Sequence, residues 1–264
     1  MCGRYAFNAT PAQVAEHFGL AACADFAPRF NIPPGTDIPV IRHSPEGQRV
    51  LHLLRWGLIP HWAKDPTIGN KLNNARGESV AEKPAFREAF KRRRCLIPAS
   101  GFFEWGTQGK AKQPYYISLK SGDPLAMAGL WESWKSPNGE ILRTCAIVTT
   151  GPNALMQPIH DRMPVILAPE HWQVWLSAQS EDVAGLLIPY QAEAMRAWPV
   201  DRRVSKAGED DAGMIEPCLS GCHPNPLPVV GSPDAAQRNP GFQDEQSPDS
   251  AALHPGYESW ELTR

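Results

Sequence analysis

No apolar run approaches the roughly 20 residues that a membrane-spanning helix needs, and the amino terminus lacks the basic and apolar regions of a secretory signal. A soluble, cytoplasmic protein without a membrane partner is therefore expected. Cysteine is scarce, with six residues in 264 at irregular spacing, which argues against a disulfide framework. No Gly-rich phosphate loop, HExxH helix or serine-elbow motif occurs, so nucleotide-driven chemistry has no support. The one metal-like spacing, Cys218-x3-Cys222-His223, has no second ligand pair nearby. No metal and no cofactor are expected. Nor is there a strong excess of charge of one sign: 26 basic and 28 acidic residues give −2. Setting aside the acid-rich residues 219–264 leaves 1–218 slightly basic, so any polyanion site must arise from local clustering.

With 42% hydrophobic residues, the chain can bury a sizeable core. Residues 1–218 read as a folded unit. Thr10-Pro11 before Val14, Ala15 and Phe18, then Gly19, carries the cap, the Pro and the terminal Gly of a short amphipathic helix. Strand-like runs lie at 50–56, 95–98, 115–119 and 141–150, and further helices are expected over 85–91, 169–176 and 181–187. Strands outnumber helices and are joined by turns too short for crossover helices. An α+β fold with a mostly antiparallel, barrel-like sheet core and a few flanking helices follows. Beyond Pro217 the composition turns to Pro, Gly, Ser, Asp and Gln, with a self-similar pair beginning at Ser232 and Ser247. Residues 219–264 are expected to be a disordered tail, resembling a translated intergenic repeat element.

The residue that most implies chemistry is Cys2. A small side chain in second position permits removal of Met1, which would leave an amine and a thiol two carbons apart. The α-amine ionises near 7.7 to 8.0 and the thiol near 8.5, so both are usable nucleophiles at neutral pH. Such a pair captures an aldehyde as an imine and closes it to a thiazolidine, whereas an acyl substrate meets the thiolate directly.

Other motifs offer partners. Asn74-Ala75-Arg76, if extended, puts an amide and a guanidinium on one face; the plain alternative is a turn with a surface ion pair. Glu104 sits among Phe102, Phe103 and Trp105, where burial would raise its pKa into the range useful for acid–base work, or where it could simply point outward from a half-buried strand. His160-Asp161-Arg162 follows the strand ending at Thr150, a usual place for catalytic groups, or forms a structural turn. Trp56 and Trp62 offer faces for unpaired bases, although Trp is more often core. Arg87 and Lys91-Arg92-Arg93-Arg94 form the densest positive cluster, by default a solvated helix end.

Together, Cys2-Gly3-Arg4, the Trp56-Gly-Leu-Ile-Pro60 segment, Asn74-Ala-Arg76, Phe103-Glu104-Trp105, Gly129-Leu-Trp-Glu132 and Ile159-His-Asp-Arg-Met-Pro164 closely resemble the SRAP (SOS-response-associated peptidase) family, in order, from Cys2 to about Pro217. The resemblance implies a protein that senses abasic sites in single-stranded DNA, in a replication-associated and nucleoid setting, and crosslinks to them through Cys2. It further implies Cys2 as nucleophile, Asn74 as positioning group, Glu104 as proton-transfer group and His160 as the group acting on the opened sugar and in reversal. Arg4, Arg76 and Arg162 would bind phosphates, with Trp56 and Trp62 toward DNA. The peptidase label fits self-removal of Met1. One stretch departs from the family pattern: Pro199-Val200-Asp201, then Val204-Ser205-Lys206, where the family tends to carry Pro-Val-Ser and an Asn. That puts local packing or DNA contact there in doubt. Two rivals remain, an N-terminal-nucleophile amidohydrolase, separable by a glutaminase assay, and a non-covalent single-stranded DNA binding module, in which Cys2 would be dispensable.

Overall fold

Alternation along the strands organises the molecule into two sheets. A computed structural model describes residues 2–108, 111–180 and 183–218. In chain order the elements are β1 (Arg4–Phe7), α1 (Pro11–Phe18), β2 (Arg29–Ile32), β3 (Asp37–His43), β4 (Arg49–Trp56), β5 (Asn74–Arg76), α2 (Arg87–Arg92), β6 (Arg94–Ala99), β7 (Gly101–Gln108), β8 (Ala111–Leu119), β9 (Leu125–Lys135), β10 (Ile141–Thr150), β11 (Met163–Pro164), α3 (Trp172–Leu176) and β12 (Met195–Pro199). Short 3-10 turns fill several connections. No helix among the described residues is long and apolar enough to cross a membrane.

The first sheet runs β12-β8-β7-β1-β2 and is antiparallel throughout. Both of its faces are covered. Tyr5, Phe7 and Phe102 enter the main core, while Ala6, Phe103 and Tyr116 pack on the other side with Val200, Val204 and Met214. The second sheet runs β10-β4-β3-β6-β9, and β9 pairs back onto β10, which closes a five-stranded barrel. The expected mostly antiparallel, barrel-like α+β core is what the chain forms; the parallel pairings are those of β10 with β4 and β5. Tyr5 meets Trp56 edge-on, centroids 5.5 Å apart, and so joins the first sheet to the barrel.

The expected helix after Thr10 is α1, with a complete capping box between Thr10 and Gln13 and Gly19 in the left-handed conformation at its end. The expected helix over 181–187 is corrected. Residues 181 and 182 lie outside the described residues, and the remainder forms only a 3-10 turn, Ala184–Leu186, with Gly185 at its centre. The expected disordered tail also lies outside the described residues, as do Cys222 and His223.

The basic run is corrected as well, because it is not a solvated helix end throughout. Arg94 is buried, and all five guanidinium donors meet carbonyls: Nε to Trp175, Nη1 to Phe90 and Lys91, Nη2 to Ser177 and Ser180. One side chain thereby satisfies the carboxyl ends of α2 and α3, whose last carbonyls have no intrahelical donor. Arg94→Lys keeps the charge but supplies three donors without the planar fork. It is expected to cost about 2 kcal/mol, measured as a lower urea midpoint at unchanged m.

Candidate functional site

The carboxyl end of β10 is where the chain brings its reactive groups together. Along one edge of β10, β4 pairs at Thr144 and Cys145, leaves, and the chain returns as β5 opposite Ile147–Thr149. The excursion is pinned where Gly57 and Gly69 touch: a Cβ on Gly57 would stand 2.8 Å from the Gly69 carbonyl, and its φ of +137° suits glycine. Strand alternation then buries Ala75 and leaves Asn74 and Arg76 on the other face, as the extended reading required. On the opposite edge of β10, β11 pairs with Thr149 and Thr150. The loop before β11 is shaped by Asn153, whose Oδ1 accepts the Met156 N–H, and by buried Met156 and Ile159, which leaves His160 directed at the first sheet.

From that first sheet come Cys2 and Glu104. The register Arg4↔Phe103 sets the residues before β1 beside Glu104 and Trp105. Cys2 is fully buried, and Asn74 Nδ2 donates to its carbonyl at 2.9 Å. Asn74 Oδ1 is buried without a partner among the described residues, an acceptor held ready beside the cysteine. Glu104 is 2% exposed, and its Oε2 lies 3.7 Å from His160 Nε2. The four expected residues therefore meet: Cys2 just before β1 and Glu104 on β7 of the first sheet, Asn74 on β5 of the second, and His160 in the loop between β10 and β11.

Their electrostatics follow from burial. Burial, and then the charge of Glu104, push the Cys2 thiol far above its ordinary range. Burial raises Glu104 to about 7, opposed by the positive amino terminus. His160 is held below its ordinary value, by burial first and by the amino terminus second. Its Nδ1 accepts the Arg162 backbone N–H at 3.0 Å and also faces Asp161 Oδ1 at 2.9 Å. A lone pair engaged by the backbone leaves the proton on Nε2, toward Glu104, and the Asp161 side chain is largely exposed. The raised carboxyl of Glu104 and the lowered imidazole of His160 bring the proton affinities of the two groups closer together.

Because the carboxyl of Glu104 is raised, the folded chain holds that proton more tightly than the unfolded chain. Stability from this group is present below the ordinary value of 4.5 and is lost as pH rises toward 7. Glu104→Gln is expected to remove that loss and to stabilise the protein at pH 8 by about 1–3 kcal/mol, with little change at pH 4.5. Urea unfolding at the two pH values is the check.

Above these groups lies an open groove of about 740 Å³, lined by Arg4, Lys112, Arg202 and Lys206, with Glu104 and His160 also in its wall. Lys112, Arg202 and Lys206 were not singled out from the sequence, since isolated cations carry no local pattern. Arg4 faces the groove with Nη1 bonded to Asn31 Oδ1 at 2.7 Å and to the Val204 carbonyl at 2.9 Å. The stretch that departs from the family pattern, 204–206, thus packs on Arg4 through its carbonyls. Arg76 is exposed beside Thr149. Arg162 is mostly enclosed, in a bidentate pair with Glu78 at 2.5 and 3.0 Å and bonded to the Thr149 carbonyl at 2.7 Å. Glu78, absent from the expected site, is therefore what a phosphate would have to displace or share there. Trp56 is a correction: it is fully buried and donates Nε1–H to the Asn73 carbonyl, so no base can reach its faces. Trp62 is 51% exposed, on the loop after β4.

A two-sheet α+β protein with its second-position cysteine, an amide, a carboxyl and an imidazole beneath a basic groove is the class that this geometry defines. The chain belongs to the SOS response associated peptidase (SRAP) family, whose pattern matches residues 1–207. It is 42% identical over 223 residues to the abasic site processing protein YoqW of Bacillus subtilis (strain 168), covering 82% of this chain and 99% of that one. It is 32% identical to the abasic site processing protein YedK of Escherichia coli (strain K12), over 82% of this chain and 100% of that one. An X-ray structure of a protein from Bacteroides thetaiotaomicron shares the fold with a TM-score of 0.77 at 30% identity, covering 83% of this chain and 100% of that one.

Proposed function

We propose that this protein processes abasic sites in single-stranded DNA by forming a covalent thiazolidine crosslink through Cys2 after Met1 is removed. The observation that carries the reading is the meeting of Cys2, Asn74, Glu104 and His160 beneath a groove lined by Arg4, Lys112, Arg202 and Lys206. The name shared by YoqW and YedK supports the lesion as target.

The chemistry balances with the residues present. With Met1 gone, the Cys2 amine adds to the C1′ aldehyde of a ring-opened abasic sugar, and loss of water gives an imine. The thiol then adds to the imine carbon: a C–S bond forms, the C=N bond becomes single, and the thiol proton finishes on nitrogen. A thiol whose pKa is raised by burial is a poor spontaneous nucleophile, so its proton must be taken as the bond forms. Glu104, its carboxyl raised by burial, takes that proton and returns it to nitrogen. His160 Nε2–H assists loss of water from the carbinolamine and, in reverse, ring opening. Asn74 holds the Cys2 carbonyl and offers Oδ1 to the new amine. Arg4, Arg76, Arg162 and the groove lysines meet backbone phosphates, and Trp62 is the exposed aromatic available to a base. Self-removal of Met1 is the peptidase activity proposed, and the cytoplasm is the proposed compartment.

The test is incubation with a single-stranded oligonucleotide carrying one abasic site, beside its undamaged counterpart. A heat- and detergent-stable shift with the lesion alone, together with mass-spectrometric loss of Met1, is expected. Intact Met1 in the purified protein, or equal non-covalent binding of both strands with no stable shift, overturns the proposal.

A further inference from the structure

The end of the barrel remote from the reactive groups carries a second concentration of positive charge. On β4, Leu54 and Trp56 are buried while Leu53 and Arg55 are exposed, so the even-numbered residues face inward. His52 shares that face, and the pairing Val40↔His52 places Arg42 of β3 on it too, two residues further along. Arg143 of β10 lies on the face of Cys145, which pairs with the inward-facing Trp56. It precedes Thr149 by six residues, roughly 20 Å along the strand.

Two arginines and a histidine from three neighbouring strands thus gather at one mouth. None has a carboxylate partner among the described residues. Arg42 lies 4.9 Å over the Trp131 ring, and its Nε is buried without a hydrogen-bond partner. The mutual cost of the arrangement is visible in the ionisation. His52 is held below its ordinary value by burial, then by Arg42 and Arg143, and Arg42 is lowered by burial, then by Arg143. Like charges kept this close without a counter-ion favour an anion among them.

Room for one exists. Arg42, Arg92, Arg94 and Trp131 line a cavity of about 550 Å³ whose wall contains no Asp or Glu; His52 and Arg143 stand outside that lining and add to the positive charge beside it. Glu46, in the adjoining turn, is hydrogen-bonded to the Ser44 side chain. The donors of Arg94 are spent on carbonyls, which leaves Arg42 and Arg92 as those able to turn toward a ligand. Such a volume lies within the range of small-ligand sites.

We propose that this barrel mouth binds a phosphate-bearing ligand of nucleotide size, its phosphate held by Arg42 and Arg92 within the cavity, with Trp131 as the apolar wall. The ligand is either a free nucleotide or one nucleotide unit of a strand, and the site is separate from the crosslinking groove. Calorimetric titrations of the full chain with thymidine 5′-monophosphate and with an undamaged oligothymidylate, at constant ionic strength, test it. The exposed Arg92→Gln variant is expected to weaken binding about tenfold. Arg42→Gln with Arg92→Gln is expected to abolish it, while crosslinking to abasic strands persists. Weakening with both ligands identifies a free nucleotide as sufficient, and weakening with the oligomer alone identifies the strand. Should Arg42→Gln fail to fold, Arg92→Gln alone decides. No saturable heat with either ligand, or equal affinity for wild type and Arg92→Gln, overturns the proposal whether or not the crosslink forms.

Discussion

Cys2→Ala is expected to reduce the heat-stable adduct with abasic single-stranded DNA by at least about 10³-fold, because the sulfur that closes the ring is gone while the amine remains. Loss of product is only half of the expectation. With no thiol to trap it, the imine persists and acidifies the neighbouring sugar carbon, so elimination of the 3′ phosphate becomes the exit. The variant should therefore nick the strand and be trapped by borohydride as a reduced amine adduct. Denaturing gels with and without borohydride separate the two products. Seeing neither trapped adduct nor nicking would exclude the amine from the mechanism, even if wild type crosslinks through sulfur alone.

Glu104→Gln is expected to slow crosslink formation by about 10²-fold at neutral pH while leaving the fold intact or more stable. The amide keeps the shape and one hydrogen-bonding oxygen but can neither accept the thiol proton nor release it. The pH profile gives a second reading. In wild type, burial holds the carboxyl well above the ordinary carboxylate range, so the rate should climb with pH as the base form fills. In the Gln variant that rise should disappear. Pre-steady-state adduct formation between pH 5.5 and 8.5 measures both. A profile unchanged by the substitution assigns the titration to another group and removes Glu104 as the base.

Much of the site was legible because its residues sit in short, dense motifs. Cys2 drew notice from position alone, and the plain alternatives for Asn74 and Glu104 are removed by the fold: Asn74 sits in a strand with its amide on the Cys2 carbonyl, and Glu104 is buried rather than turned to solvent. Other features depend on partners far along the chain. Glu78 meets Arg162 across 84 residues, and nothing near either residue announces the pair. Trp56 and Trp62 occupy one loop-like segment with the same side chain, but Trp56 ends a barrel strand beneath Tyr5, a consequence of sheet packing that local pattern does not contain. β9 was missed because a strand buried on both faces lacks alternation, and β3 because Pro39 interrupts it. Arg94 looked like a solvated cation since its five acceptors belong to helix ends that only the fold brings to it.

The complete enclosure of Cys2, with Gly3 next to it in the groove wall, has a practical corollary for handling the protein. On the proposed mechanism, any affinity handle fused upstream would block the amine that attacks the lesion. Purification handles belong on the other terminus, and preparations carrying an upstream fusion should be inert toward lesions until the fusion is cleaved to leave cysteine first.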